Sequence, residues 1–108
     1  MMRFPCPYLN AEIEWTEERE RHITERHPDL LPEHRAQIPE TLADPDLVRR
    51  SARFGNALLF SRWYTGLRGG KHLVVVVVNE GKAGGRHWII TAYLARNLAG
   101  GEWEWKRS

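Results

Sequence analysis

His72-Leu73-Val74-Val75-Val76-Val77-Val78-Asn79 is the stretch that decides the fold. Branching at Cβ stiffens valine and suits it to a pleated strand rather than a helix. Side chains alternate along a strand, so Val74, Val76 and Val78 face one way and Leu73, Val75 and Val77 the other. Both faces are apolar, so both must be covered, and the strand belongs at the centre of a sheet. The run from Leu73 to Val78 is too short to cross a bilayer.

Outward from this run, Leu47 to Arg53 and Ala57 to Tyr64 read as two earlier strands joined through Gly55-Asn56. Gly69-Gly70 leads into the valine strand, and Gly81, Gly84 and Gly85 turn the chain into a fourth strand from Arg86 to Tyr93. Connections this short imply an antiparallel meander. Upstream, Thr16 is an N-cap candidate with Glu17 and Glu18 suited to the positive end of a helix. That helix should end near Arg26, because Pro28 disfavours helical backbone at His27. A second helical region is expected from near Pro32 through Ile38 and Leu42, with Pro39 kinking it or starting a separate turn. Asp44-Pro45-Asp46 stops it.

The predicted fold class is therefore α+β, with N-terminal helices packed on a four-stranded antiparallel meander sheet. One domain spans 1–108: an N-terminal arm and short strand (1–15), helices (16–43), the sheet (47–93) and a C-terminal segment (94–108). Helices cover one sheet face; the other needs the terminal arms or a second subunit, and a homodimer through that second face is one way to supply it. Glu12-Ile13-Glu14-Trp15 and Glu102-Trp103-Glu104-Trp105 share one alternating pattern and are expected to pair or pack together.

Composition narrows the class. Hydrophobic content of 42% and charged content of 28% are those of an ordinary globular domain. A single cysteine, Cys6, excludes an internal disulfide and a cysteine-based zinc cluster. The N-terminus lacks the apolar stretch of a signal peptide, so a cytoplasmic location is expected. Of the 16 basic residues all but Lys71, Lys82 and Lys106 are arginine, the residue suited to bidentate phosphate contact. A GC-rich genome gives the same bias. Between Arg49 and Lys71 the chain carries Arg49, Arg50, Arg53, Arg62, Arg68 and Lys71 and no acid, which marks an anion-binding surface or a solvated strand face.

The chemistry-bearing residues cluster in two places. His22-Ile-Thr-Glu-Arg26-His27-Pro28 ends the first helix, and Thr91-Ala92-Tyr93 closes the last strong strand. Cleaving RNA without a metal needs a base, an acid and cations for the phosphorane charge. His22 and Arg26 are one helical turn apart, and His27 follows just past the helix end. The blander reading, in which His27 caps the helix C-terminus and His22 is a partly buried polar residue, is equally open. Thr91 and Tyr93 share one side of their strand, where they offer hydroxyls to a phosphate or a ring to a base. Arg53, Arg62, Tyr64 and Lys71 lie on or beside the basic strands, with Arg62 and Tyr64 on the face of Leu58 and Phe60. His34, His72 and His87 are scattered and show no zinc-binding spacing, so no metal and no cofactor are expected.

The order His22-Ile23…Arg26-His27-Pro28-Asp29, Ile38…Leu42…Asp44-Pro45-Asp46, Leu73 to Val78 and Thr91-Ala92-Tyr93 resembles a phage-type nuclease family. That family belongs to the barnase–EndoU–colicin–RelE group (the BECR fold), and the resemblance covers about residues 12 to 105. It implies a metal-independent endoribonuclease, in a group whose members often act as toxins, with RNA as substrate and an acidic inhibitor protein as a further partner. Carried over, it gives roles to His22, Arg26, His27 and Thr91 in catalysis, with Tyr93 and a basic strand residue among Arg53, Arg62 and Lys71 assisting. The alternative is a non-catalytic RNA- or protein-binding module of the same fold.

Overall fold

A computed structural model describes residues 1–53, 55–81, 85–98 and 100–107; the predicted turn glycine Gly84 and the basic residue Lys82 lie outside them. The elements in chain order are β1 (Met2–Cys6), a single 3₁₀ turn (Pro7–Leu9), β2 (Ala11–Trp15), α1 (Glu17–Arg26), α2 (Gln37–Ala43), β3 (Leu47–Arg50), β4 (Ala57–Tyr64), β5 (Lys71–Asn79), β6 (His87–Ala95) and β7 (Glu102–Lys106). All seven strands form one mixed sheet in the order β1-β2-β6-β5-β4-β3-β7, and the valine strand β5 lies in its middle.

This corrects the expected four-stranded antiparallel meander with helices packed on it: the sheet has seven strands, it is mixed, and its two helices are short. The N-terminal arm is a hairpin, β1 with β2, that joins β6 by a parallel pairing at Glu14 and Trp88. At the other edge β7 pairs antiparallel with β3. The segments 12–15 and 102–105 thus lie on opposite sides of the sheet, not together. Their shared alternation does not name a partner strand or even a common burial: Ile13, Glu14 and Trp15 are all buried, whereas every residue of β7 is exposed. The strand predicted to run to Arg53 stops at Arg50, where Ser51 N–H bonds back to the Ala57 carbonyl and closes the hairpin.

Local chemistry explains the helices. Thr16 Oγ1 accepts from the Arg19 N–H at 3.2 Å and caps α1, and Ile23 is its buried anchor. Residues 28–36 form turns, not the helical start expected near Pro32. Pro28 and Pro32 each push the preceding residue out of helical backbone, while Leu30 and Leu31 are fully buried and hold the turns to the core. Pro39 sits in the first turn of α2, where its missing N–H has no helical partner to lose.

The core lies between the helices and one sheet face. Ile13 and Trp15, Ile89 and Ala92, Leu73, Val75 and Val77, Phe60 and Val48 meet Ile23, Ile38 and Leu42 there, all essentially inaccessible to water. The opposite face is covered differently. Between β6 and β7, which are separated in the sheet by β5, β4 and β3, Gly100 and Gly101 lie over this second face. There Arg49 Nη1 donates to the Gly100 carbonyl at 2.9 Å. Gly101 comes so close that an added Cβ would stand 2.6 Å from the Arg50 carbonyl oxygen, on a backbone with φ +74°. Gly101→Ala should therefore cost about 1–3 kcal/mol, read as a lower urea midpoint.

Arginine–carboxylate pairs tie the outer strands. Arg86 donates to Glu14 at 2.6 and 3.1 Å, and Arg107 bonds Asp44 and Asp46, joining the end of β7 to the turn before β3. The arginine hydrogen bonds hold the Glu14 and Asp44 carboxyls below their ordinary values. The folded chain thus binds fewer protons than the unfolded one, and this stabilisation is complete above the unfolded pKa of about 4. It is lost as pH falls through the depressed folded values. Urea midpoints should drop in that acid range, and less steeply in Arg86→Ala and Arg107→Ala.

Candidate functional site

The second sheet face carries a concavity of about 580 Å³. Its floor is aliphatic: Leu59 of β4, Val76 and Val78 of β5 and Ile90 of β6. The β3–β4 hairpin supplies Ser51, Arg53 and Asn56 to one wall, and Gly100 and Gly101 form another. Thr91 and Tyr93 complete the lining from β6.

A register shift in β6 shapes this site. Val76 pairs with Thr91 while Val77 pairs with Ile89, so Ile90 is an extra residue without a partner on β5. Such a bulge re-aims side chains, and here Ile90 and Thr91 both line the concavity. Asn56 is held in place by reciprocal bonds: its Nδ2 donates to the Asn79 carbonyl at 3.1 Å, and Asn79 Nδ2 to the Asn56 carbonyl at 3.2 Å. Ser51 Oγ accepts from the Arg53 N–H at 3.1 Å, which braces the loop that carries the arginine.

The predicted site residues divide into groups. Arg53, Thr91 and Tyr93 share the concavity. His27, at the end of α1, does not line the concavity, but its ring centroid lies 6.1 Å from that of Tyr93. His27 is also the C-cap residue, its backbone N–H bonding the Ile23 carbonyl at 2.7 Å. His22 is half-buried and Arg26 exposed on the same helix. Five residues of helix separate His22 from His27 by about 140°, so the two imidazoles leave α1 on different flanks.

Arg62, Tyr64 and Lys71 are occupied elsewhere. Arg62 pairs with Asp44 at 3.5 Å and lies over the Tyr64 ring. Tyr64 is on the helix side, its hydroxyl 2.9 Å from Glu40 Oε1 and 3.3 Å from Thr41 Oγ1, and burial pushes its pKa up to about 12. Lys71 Nζ donates to the Arg68 carbonyl at 2.8 Å in the β4–β5 turn. The residues that sequence reasoning missed are Ser51, Asn56 and the aliphatic floor. The apolar second face of the valine strand, which the helices could not also cover, was their only signal.

Among the described residues no group of three or more histidines, cysteines or acids is placed to hold a metal ion. No helix there is long and apolar enough to cross a membrane. Comparison with protein-family models, curated proteins and solved structures returned no match to this chain.

Proposed function

We propose that this chain is a metal-independent endoribonuclease whose site is the mouth of the concavity. The observation that carries the reading is the approach of His27 to Tyr93, with Thr91 and Arg53 lining the same concavity as Tyr93. A neutral imidazole takes the proton of a ribose 2′-hydroxyl as that oxygen attacks the adjacent phosphorus. The 5′-oxygen leaves with a proton, which the Tyr93 phenol supplies, giving a 2′,3′-cyclic phosphate and a 5′-hydroxyl end. Thr91 and Arg53 hold the non-bridging oxygens, where negative charge builds up. Arg26 steers the strand from the exposed side of α1, and His22 plays a lesser part.

In this reading RNA is the substrate, the protein works in the cytoplasm, and an acidic inhibitor protein would cover the basic rim. The concavity must stay open, which argues against a homodimer through the second sheet face. The aliphatic floor favours one alternative, a module of the same fold that binds RNA or a protein segment without cutting. Incubation with mixed cellular RNA in EDTA separates them. Cleavage to cyclic-phosphate ends is expected; salt-sensitive binding without cleavage would replace the enzyme with the module.

A further inference from the structure

We propose that the concavity seats one unpaired nucleobase, so that the RNA acted on is single-stranded; this rests on the nuclease reading and names its substrate. The floor formed by Leu59, Val76, Val78 and Ile90 matches the apolar faces of a base, which in a duplex are hidden by stacking. The walls are polar where a base edge would arrive. Asn56 has its amide nitrogen committed to the Asn79 carbonyl, which leaves its oxygen to accept from a base N–H.

The spacing fits one nucleotide. Thr91, which holds the phosphate, is on β6 opposite Val76, and Asn56 precedes β4, level with Asn79. Two strand spacings across the sheet and three residues along it put the two backbones about 14 Å apart, a span that the Thr91 and Asn56 side chains and one nucleotide bridge together. A paired base cannot make this reach without leaving its helix, at a cost that an unpaired strand avoids.

The test is a binding measurement, independent of turnover. Fluorescence anisotropy would compare wild-type protein with a 2′-O-methyl oligoribonucleotide as a single strand, as the same strand with abasic sites, and as a duplex. The methylated strand has no 2′-hydroxyl and stays intact. The single strand should bind about tenfold tighter than the other two. Val76→Trp, which fills the concavity, should erase that preference, and Asn56→Ala, at an exposed position, should weaken it several-fold. Thermal melts of both variants check the fold. Equal affinity for the three ligands, or a preference that neither substitution changes, overturns the base seat; RNA cleavage in EDTA would then still uphold the nuclease. Base-selective binding by a protein that cuts no RNA keeps the seat and removes the enzyme.

Discussion

His27→Ala is expected to lower RNA cleavage by about 10²–10⁴-fold, the usual contribution of a positioned proton carrier. The substitution is clean. The helix cap at this residue is made by its backbone N–H to Ile23, which alanine retains, so α1 and its buried Ile23 stay in place. The lost imidazole is the one beside Tyr93. Three controls sharpen the result, all read by single-turnover cleavage of a labelled oligoribonucleotide. His22→Ala, on another flank of α1, should cost much less than His27→Ala. Tyr93→Phe keeps the ring but removes the phenolic proton and should fall between them. Tyr64→Phe touches a hydroxyl committed to α2 and should leave the rate unchanged. A His27→Ala protein that cleaves as fast as wild type would remove the site at the end of α1.

Phe60→Ala carries the largest stability loss, about 3–5 kcal/mol. Phe60 is fully buried in β4, between Val48 of β3 and Val75 of β5, and the Tyr8 ring meets its edge at 6.0 Å. Neighbouring strands prevent the site from collapsing around the missing ring, so a cavity adds to the lost burial. Against the 5–15 kcal/mol that holds domains of this kind folded, such a loss is a large share. The urea midpoint should fall steeply with an unchanged slope. Val76→Ala, half-buried on the other face, should cost clearly less. Equal losses at the two positions would mean that the two faces are packed alike.

Legibility differed by element. Helix α1 was readable because its boundaries are written locally: Thr16 accepts from Arg19, and Pro28 stops the helix. The central place of the valine strand was readable from its two apolar faces. The full width of the sheet was not. Whether residues 12–15 pair with β6 or residues 102–105 with β3 depends on contacts between segments distant in sequence, and an alternating pattern fits any edge. The candidate site was half legible. Thr91 and Tyr93 do share a side, but Arg62 and Tyr64 were separated from them by the sheet itself.

What the chain determines by itself is its local structure and its inventory: a helix capped by His27, a strand apolar on both faces, a strand that carries Thr91 and Tyr93 but runs on to Ala95 instead of closing at Tyr93, and an arginine-rich middle. Those follow from backbone preference and side-chain period, which act over a few residues. Which of these residues meet was decided only by the tertiary structure. The bulge at Ile90, the approach of His27 to Tyr93 and the crossing that brings Gly100 over Arg49 all arise from long-range packing. Covering the second face of the valine strand is a demand that the sequence states, but the chain meets it only in part, with Gly100 and Gly101 beside a concavity that leaves Val76 and Val78 partly exposed.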